Sequence, residues 1–133
     1  MNLFLDNTFA PGLCRAAALI AGPDGHVFLH MLDLYREDPG DDTVWIPRLA
    51  TQPGDWIVLS GDRKLLKSPQ NRAALVAATL PVFVMPSGFP DHHRWLQASK
   101  FFKYLPGITK AALKMKRGDF FDVQENGAVK HRD

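Results

Sequence analysis

The chain has 133 residues, 46% of them apolar, which suits one domain with a real core and excludes a disordered chain. Its one cysteine, Cys14, excludes an internal disulfide. No apolar run approaches the roughly 20 residues that span a bilayer, and Met1-Asn2-Leu3-Phe4-Leu5 has no basic segment ahead of it, so a cytoplasmic protein with no membrane partner is expected.

Leu3-Phe4-Leu5 reads as a first buried strand ending at Asp6. A helix follows over Thr8–Ala21, with Pro11 in its first turn, Leu13, Ala16, Ala17 and Ile20 at helical spacing, and Gly22 as its end. Cys14 lies in this apolar stretch and reads as a small core residue. Val27-Phe28-Leu29 is the second strand. Residues 33–43 are polar, broken by Pro39-Gly40, and read as a loop that ends in a capped short helix over about Thr43–Ala50. Trp56-Ile57-Val58-Leu59 is an unbroken apolar run, which suits a strand covered on both faces. A helix from Ser68-Pro69, a strand over 81–86 and a helix capped by Asp91 come next. Pro106-Gly107 is expected to divide that helix from a second piece, Ile108–Lys116. The end, Phe120–Lys130, reads as a hairpin turning at Glu125-Asn126-Gly127. Strands alternating with helices predict an α/β fold with a mostly parallel central sheet, with C-terminal helices and the hairpin added. The expected organisation is one domain over 1–133, with a core over about 1–90 and a basic helical extension over about 91–133.

Charge divides along the same line. Residues 1–90 carry seven Lys/Arg against nine Asp/Glu, and residues 91–133 carry nine against five. An acidic site beside a basic surface for a polyanion fits that division. Ligands of parallel α/β sheets collect outside the carboxyl ends of the strands. Asp6 stands at the end of the first strand, Asp62 just after the third, and Asp42 opens a short helix entering from the same edge. Three acids gathered there would repel one another and need a cation or raised pKa values. The alternative is plain: helix capping alone accounts for Asp41 and Asp42. No glycine-rich phosphate loop and no serine nucleophile elbow is present.

At these residues the chain resembles the PIN-like nuclease superfamily, in particular small members related to VapC-type toxins. The resemblance runs from Asn2 to about Met85. It rests on Leu3-Phe4-Leu5-Asp6-Asn7, Asp42-Thr43-Val44-Trp45-Ile46 and Asp55-Trp56-Ile57-Val58-Leu59-Ser60-Gly61-Asp62, with Val82-Phe83-Val84 as the next strand. It implies a Rossmann-like three-layer fold and a Mg²⁺- or Mn²⁺-dependent ribonuclease with Asp6, Asp42 and Asp62 as catalytic metal ligands. It also implies RNA as substrate, with an antitoxin protein and a second copy of the chain as further partners. Asn7 and Ser60 hold supporting places in that pattern. Lys64 stands where related members often carry a further acid. Lys64 and Arg63 would then contact phosphate, or the site would be degenerate and serve binding or regulation.

Residues 92–117 hold seven Lys/Arg, no acid, and four interleaved aromatic rings. Arg94, Lys100 and Lys103 are the candidate substrate contacts there. Trp95 and Phe102 fall near helical spacing, which predicts rings packed on the core and a solvated basic face. His92-His93 reads as a surface cap pair. His26 and His30, although on one strand face, lack a third ligand and read as structural. Trp45 and Trp56 are expected in the core near the site, and Asp55 away from it.

Overall fold

Apolar runs set the sheet because both faces of each central strand need cover. In β1 (Asn2–Leu5), β3 (Trp56–Ser60) and β4 (Val82–Val84), successive side chains alternate between two separate cores. Leu3, Leu5, Ile57, Leu59 and Phe83 join one core; Phe4, Val58, Val82 and Val84 join the other. The structure is a computed structural model that describes residues 1–36 and 41–132.

The six strands run in the order β2-β1-β3-β4-β5-β6, where β2 is Val27–His30, β5 is Phe120–Val123 and β6 is Val129–Arg132. All neighbours are parallel except β5 and β6, which form the expected antiparallel hairpin. One face is covered by α1 (Pro11–Ala21) and α5 (Arg94–Ala112), the other by α2 (Met31–Leu34), α3 (Asp42–Ala50) and α4 (Pro69–Ala77). This is the three-layer α/β architecture expected from the alternating pattern. The chain leaves β1 for β2 on one side and returns to β3 on the other. The sheet's topological switch point therefore lies at the carboxyl ends of β1 and β3.

Several boundaries differ from the sequence reading. Helix α1 starts at Pro11, not Thr8, because residues 6–9 form a turn closed by Phe9 N–H on Asp6 C=O at 3.1 Å. The expected loop over 33–43 begins as α2, whose first turn is capped by the His30 side chain; residues 37–40 lie outside the described residues. Asp91 does not cap α5. It sits in a 3₁₀ turn, and the His93 ring accepts from Trp95 N–H instead.

Helix α5 also runs unbroken through Pro106-Gly107. Phe101, Tyr104, Leu105, Ile108 and Ala112 stay buried along one side across the proline, and burial at about 1.5–3 kcal/mol per large side chain outweighs a proline penalty of about 3 kcal/mol. Gly107 belongs there for a second reason. A Cβ at this position would stand 2.5 Å from the Gly127 carbonyl oxygen, so the helix lies directly against the hairpin turn.

Candidate active site at the sheet switch point

Asp6 follows β1 directly, and its N–H donates to Leu59 C=O at 3.2 Å, which seats it between β1 and β3. Its carboxylate is buried and gripped on both oxygens. The Thr8 hydroxyl and the Thr8 N–H (3.0 Å) donate to Oδ1, and the Ser60 hydroxyl donates to Oδ2. Those two hydroxyls also accept: Thr8 Oγ1 from Gly61 N–H at 2.7 Å and Ser60 Oγ from Asp62 N–H at 3.0 Å. Asp6 and the Ser60-Gly61-Asp62 turn are thus one hydrogen-bonded unit. Gly61 is required by the fit. A Cβ would meet Pro90 Cγ at 2.7 Å and Thr8 Oγ1 at 2.9 Å.

Asp62 is half-buried, and its Oδ1 accepts from Lys64 N–H at 2.8 Å. Asp42 is the first residue of α3, after Asp41, which takes the cap by accepting from Thr43 N–H at 3.0 Å. Its own oxygens accept from Trp45 Nε1 at 2.6 Å and Asn71 Nδ2 at 3.0 Å.

The electrostatics tie the three together through Asp62. Burial, with a small push from the Asp62 charge, raises the Asp6 carboxyl to about 6 against the lowering effect of its hydroxyl and N–H donors. Asp42 is also raised, first by burial and then by Asp62 among other groups. None of the main influences on either carboxyl is a basic side chain. Asp6 and Asp62 are joined through Ser60, whereas Asp42 is related to them only through the Asp62 charge.

They do not form a tight cage. Among the described residues, no three His, Cys, Asp or Glu side chains come together closely enough to hold a metal ion jointly. The oxygen donors are nevertheless those of a hard cation, and Mg²⁺ is commonly held by one or two carboxylates with water filling the remaining positions. Asp6 and Asp62, joined through Ser60, are the pair of carboxylates that would suit an ion held in that way.

The remaining sequence candidates divide. Ser60 is central to the site. Asn7 is exposed, and its neighbour Thr8 does the holding. Arg63 Nη1 donates to Met85 C=O at 3.1 Å and Nη2 lies 4.0 Å from Asp122, so its guanidinium is engaged along β4 and β5. The Lys64 side chain is exposed. Arg94 stands at the start of α5 near α1, whereas Lys100 pairs with Glu125 of the hairpin at 3.1 Å, and exposed Lys103 lies one turn beyond Lys100.

Other expectations are corrected or met. Trp45 is buried beside the site, but Trp56 lies at the opposite end of β3, its Nε1 donating to Pro53 C=O at 3.0 Å. Phe101 and Tyr104 are core residues, whereas Trp95 is 74% exposed, against the expectation that the rings pack inward. Asp55 pairs with Arg117 at 2.8 Å, away from the acids. His30 is structural: Nε2 contacts Phe9 C=O at 2.8 Å, and Nδ1 accepts from Leu32 N–H at 3.1 Å. Burial raises the Cys14 thiol to about 11, which keeps it protonated and inert.

Sequence reasoning missed Thr8 and Asn71. The Asp-x-Thr spacing at Asp6-Asn7-Thr8 is a turn signal that marks Thr8; Asn71 reaches Asp42 from 29 residues away and left no local signal.

No helix among the described residues is long and apolar enough to cross a membrane. No curated protein and no solved structure matches the chain. The sequence model of one family, described as PIN like domain, matches residues 1–87, more than half of the chain. That span contains β1 through β4 and all three acids. With its mostly parallel sheet and its acids at the switch point, the chain belongs to the PIN-like domain family.

Proposed function

We propose that this protein is a metal-dependent ribonuclease that hydrolyses RNA phosphodiester bonds at the edge formed by Asp6, Asp42 and Asp62. The observation that carries the proposal is the coupling of Asp6 to Asp62 through Ser60, with the Asp62 charge felt by both other acids. Family membership supplies the nuclease class.

Asp6 and Asp62 are the residues to hold a divalent ion, with Asp42 reaching it through water. A bound Mg²⁺ or Mn²⁺ supplies positive charge beside the phosphate and acidifies water. Thr8 and Ser60 fix the Asp6 oxygens, so little reorganisation is needed when charge develops. Trp45 and Asn71 fix Asp42 in the same manner. Asp6 of the metal-free protein must ionise to take the ion, so metal affinity should fall as pH drops through about 6, and activity with it when the metal is not saturating.

Cleavage of a labelled RNA with Mn²⁺ tests this. Wild type should cut, and Asp6→Asn and Asp62→Asn should each lose at least about a hundredfold in rate, as loss of a preorganised electrostatic group does. Wild-type activity in Asp6→Asn would refute the assignment. A toxin paired with an antitoxin is the setting the resemblance implies; growth arrest on expression tests it.

A second reading has its own observation. Both oxygens of Asp6 and of Asp42 already have protein donors, and an exposed lysine, Lys64, stands near the acids. A PIN-like module that binds without cutting would look the same, and would show no metal-dependent cleavage.

A further inference from the structure

Trp95 is the largest side chain left open on this molecule. Its exposure contrasts with Phe101 and Tyr104 of the same helix, which are fully buried in the core. It borders a groove of about 450 Å³ between the starts of α1 and α5. The walls are apolar, from Ala10, Pro11, Leu13 and Ala98, with two charges, Arg15 and Arg94, and no acid. The Arg94 guanidinium lies 5.7 Å from the Trp95 ring centroid, and the His93 ring meets its edge at 5.0 Å.

The groove lies at the starts of α1 and α5, the helices that follow β1 and β4, and so at the sheet edge where Asp6 stands. Gln97 of α5 accepts from Ala10 N–H at 2.9 Å and donates to Thr8 C=O at 3.2 Å, so α5 is bonded to the turn that holds Asp6, and Ala10 also lines the groove. Farther along the same two helices, the hollow beside Ile20 carries Asp24 on its wall. The groove at the helix starts is thus lined by two arginines and the next hollow by an acid.

We propose that Trp95, flanked by Arg15 and Arg94, is a nucleobase-stacking subsite for a single-stranded nucleic acid that extends from the acid edge. The inference rests on reading that edge as a nucleic-acid site. Every base presents a π-face, and arginines beside the ring are placed for the flanking phosphates. An apolar floor with two cations suits a strand that is part base and part polyanion. A duplex hides its base faces and would not fit.

Fluorescence separates this residue from the other tryptophans, because Trp45 and Trp56 are buried. An eight-nucleotide oligouridine is titrated into the full chain in chelator, so that binding is read without turnover. Wild type should bind with quenching of the exposed indole. Trp95→Ala should weaken binding at least about fivefold and abolish the quenching, Trp95→Phe should retain most of the affinity, and a duplex of equal length should not quench. Equal binding by wild type and Trp95→Ala, or no binding by wild type, overturns the subsite. So does a Trp95→Ala variant that binds oligouridine normally but changes its oligomeric state in sedimentation, which would make the groove a protein interface. Metal-dependent cleavage measured beside the titration keeps the two claims apart. Cleavage with unchanged Trp95→Ala binding sinks the subsite alone; Trp95-dependent binding without cleavage sinks the nuclease reading alone.

Discussion

Asp6 is held by donors yet not by a counter-charge, and that combination decides how the site responds to pH. Its carboxyl is pushed up to about 6 in the fold from an ordinary 3.8. Between those values the folded state binds more protons than the unfolded chain, so stability from this group is full below about 4 and is lost as pH rises through about 6. Two pKa units correspond to about 3 kcal/mol at most. In metal-free buffer, urea unfolding of wild type and Asp6→Asn should therefore diverge. On going from pH 7.5 to pH 4.5, wild type should gain about 2 kcal/mol of that on the variant. A constant difference between the two proteins would mean that burial does not strain Asp6. Asp6, Asp62 and Ser60 were legible as neighbours because each stands at the end of a readable strand. Thr8 was assigned to a helix start because its spacing before Pro11 suits a cap, whereas its hydroxyl is committed to Asp6 and Gly61.

At the scale of elements, α5 shows where local rules fail. Proline and glycine side by side predict a break, but a single buried face spans them and the helix continues. The contact that fixes it is the approach of Gly107 to the Gly127 carbonyl. Alanine at position 107 would gain up to about 1 kcal/mol of helix propensity and pay an overpacking cost of about 1–3 kcal/mol, since the opposing atom is backbone. Gly107→Ala should be net destabilised in urea unfolding; a stabilised variant would show that the hairpin yields easily. The strands were easier to read, because runs such as Trp56-Ile57-Val58-Leu59 demand cover on both faces whatever surrounds them. The hairpin was legible over Phe120–Lys130, but the parallel pairing of β5 with β4 was not, since that register depends on residues about 38 positions apart in the chain.

For the whole molecule, the order of connections matters more than any one element. A crossover from β2 past β1 to β3 opens the crevice beside which Asp6 and Asp62 stand, joined through Ser60. The α/β alternation made that crevice foreseeable; the failure of three carboxylates to form a closed cage was not, because Trp45 and Asn71 draw Asp42 into bonds of its own. The continuous sheet also carries the residues beyond the family match: β5 extends β4, and α5 covers the same core as α1. Anything that binds the folded crevice should consequently stabilise the entire fold. Thermal unfolding with and without Mn²⁺, in wild type and in Asp62→Ala, puts the shared acid edge to its most direct trial. At a hundredfold excess over Kd, wild type should gain about 2.7 kcal/mol and melt several degrees higher, while Asp62→Ala should show no shift. Equal shifts in the two proteins, or none in wild type, would contradict a cation site built on these aspartates.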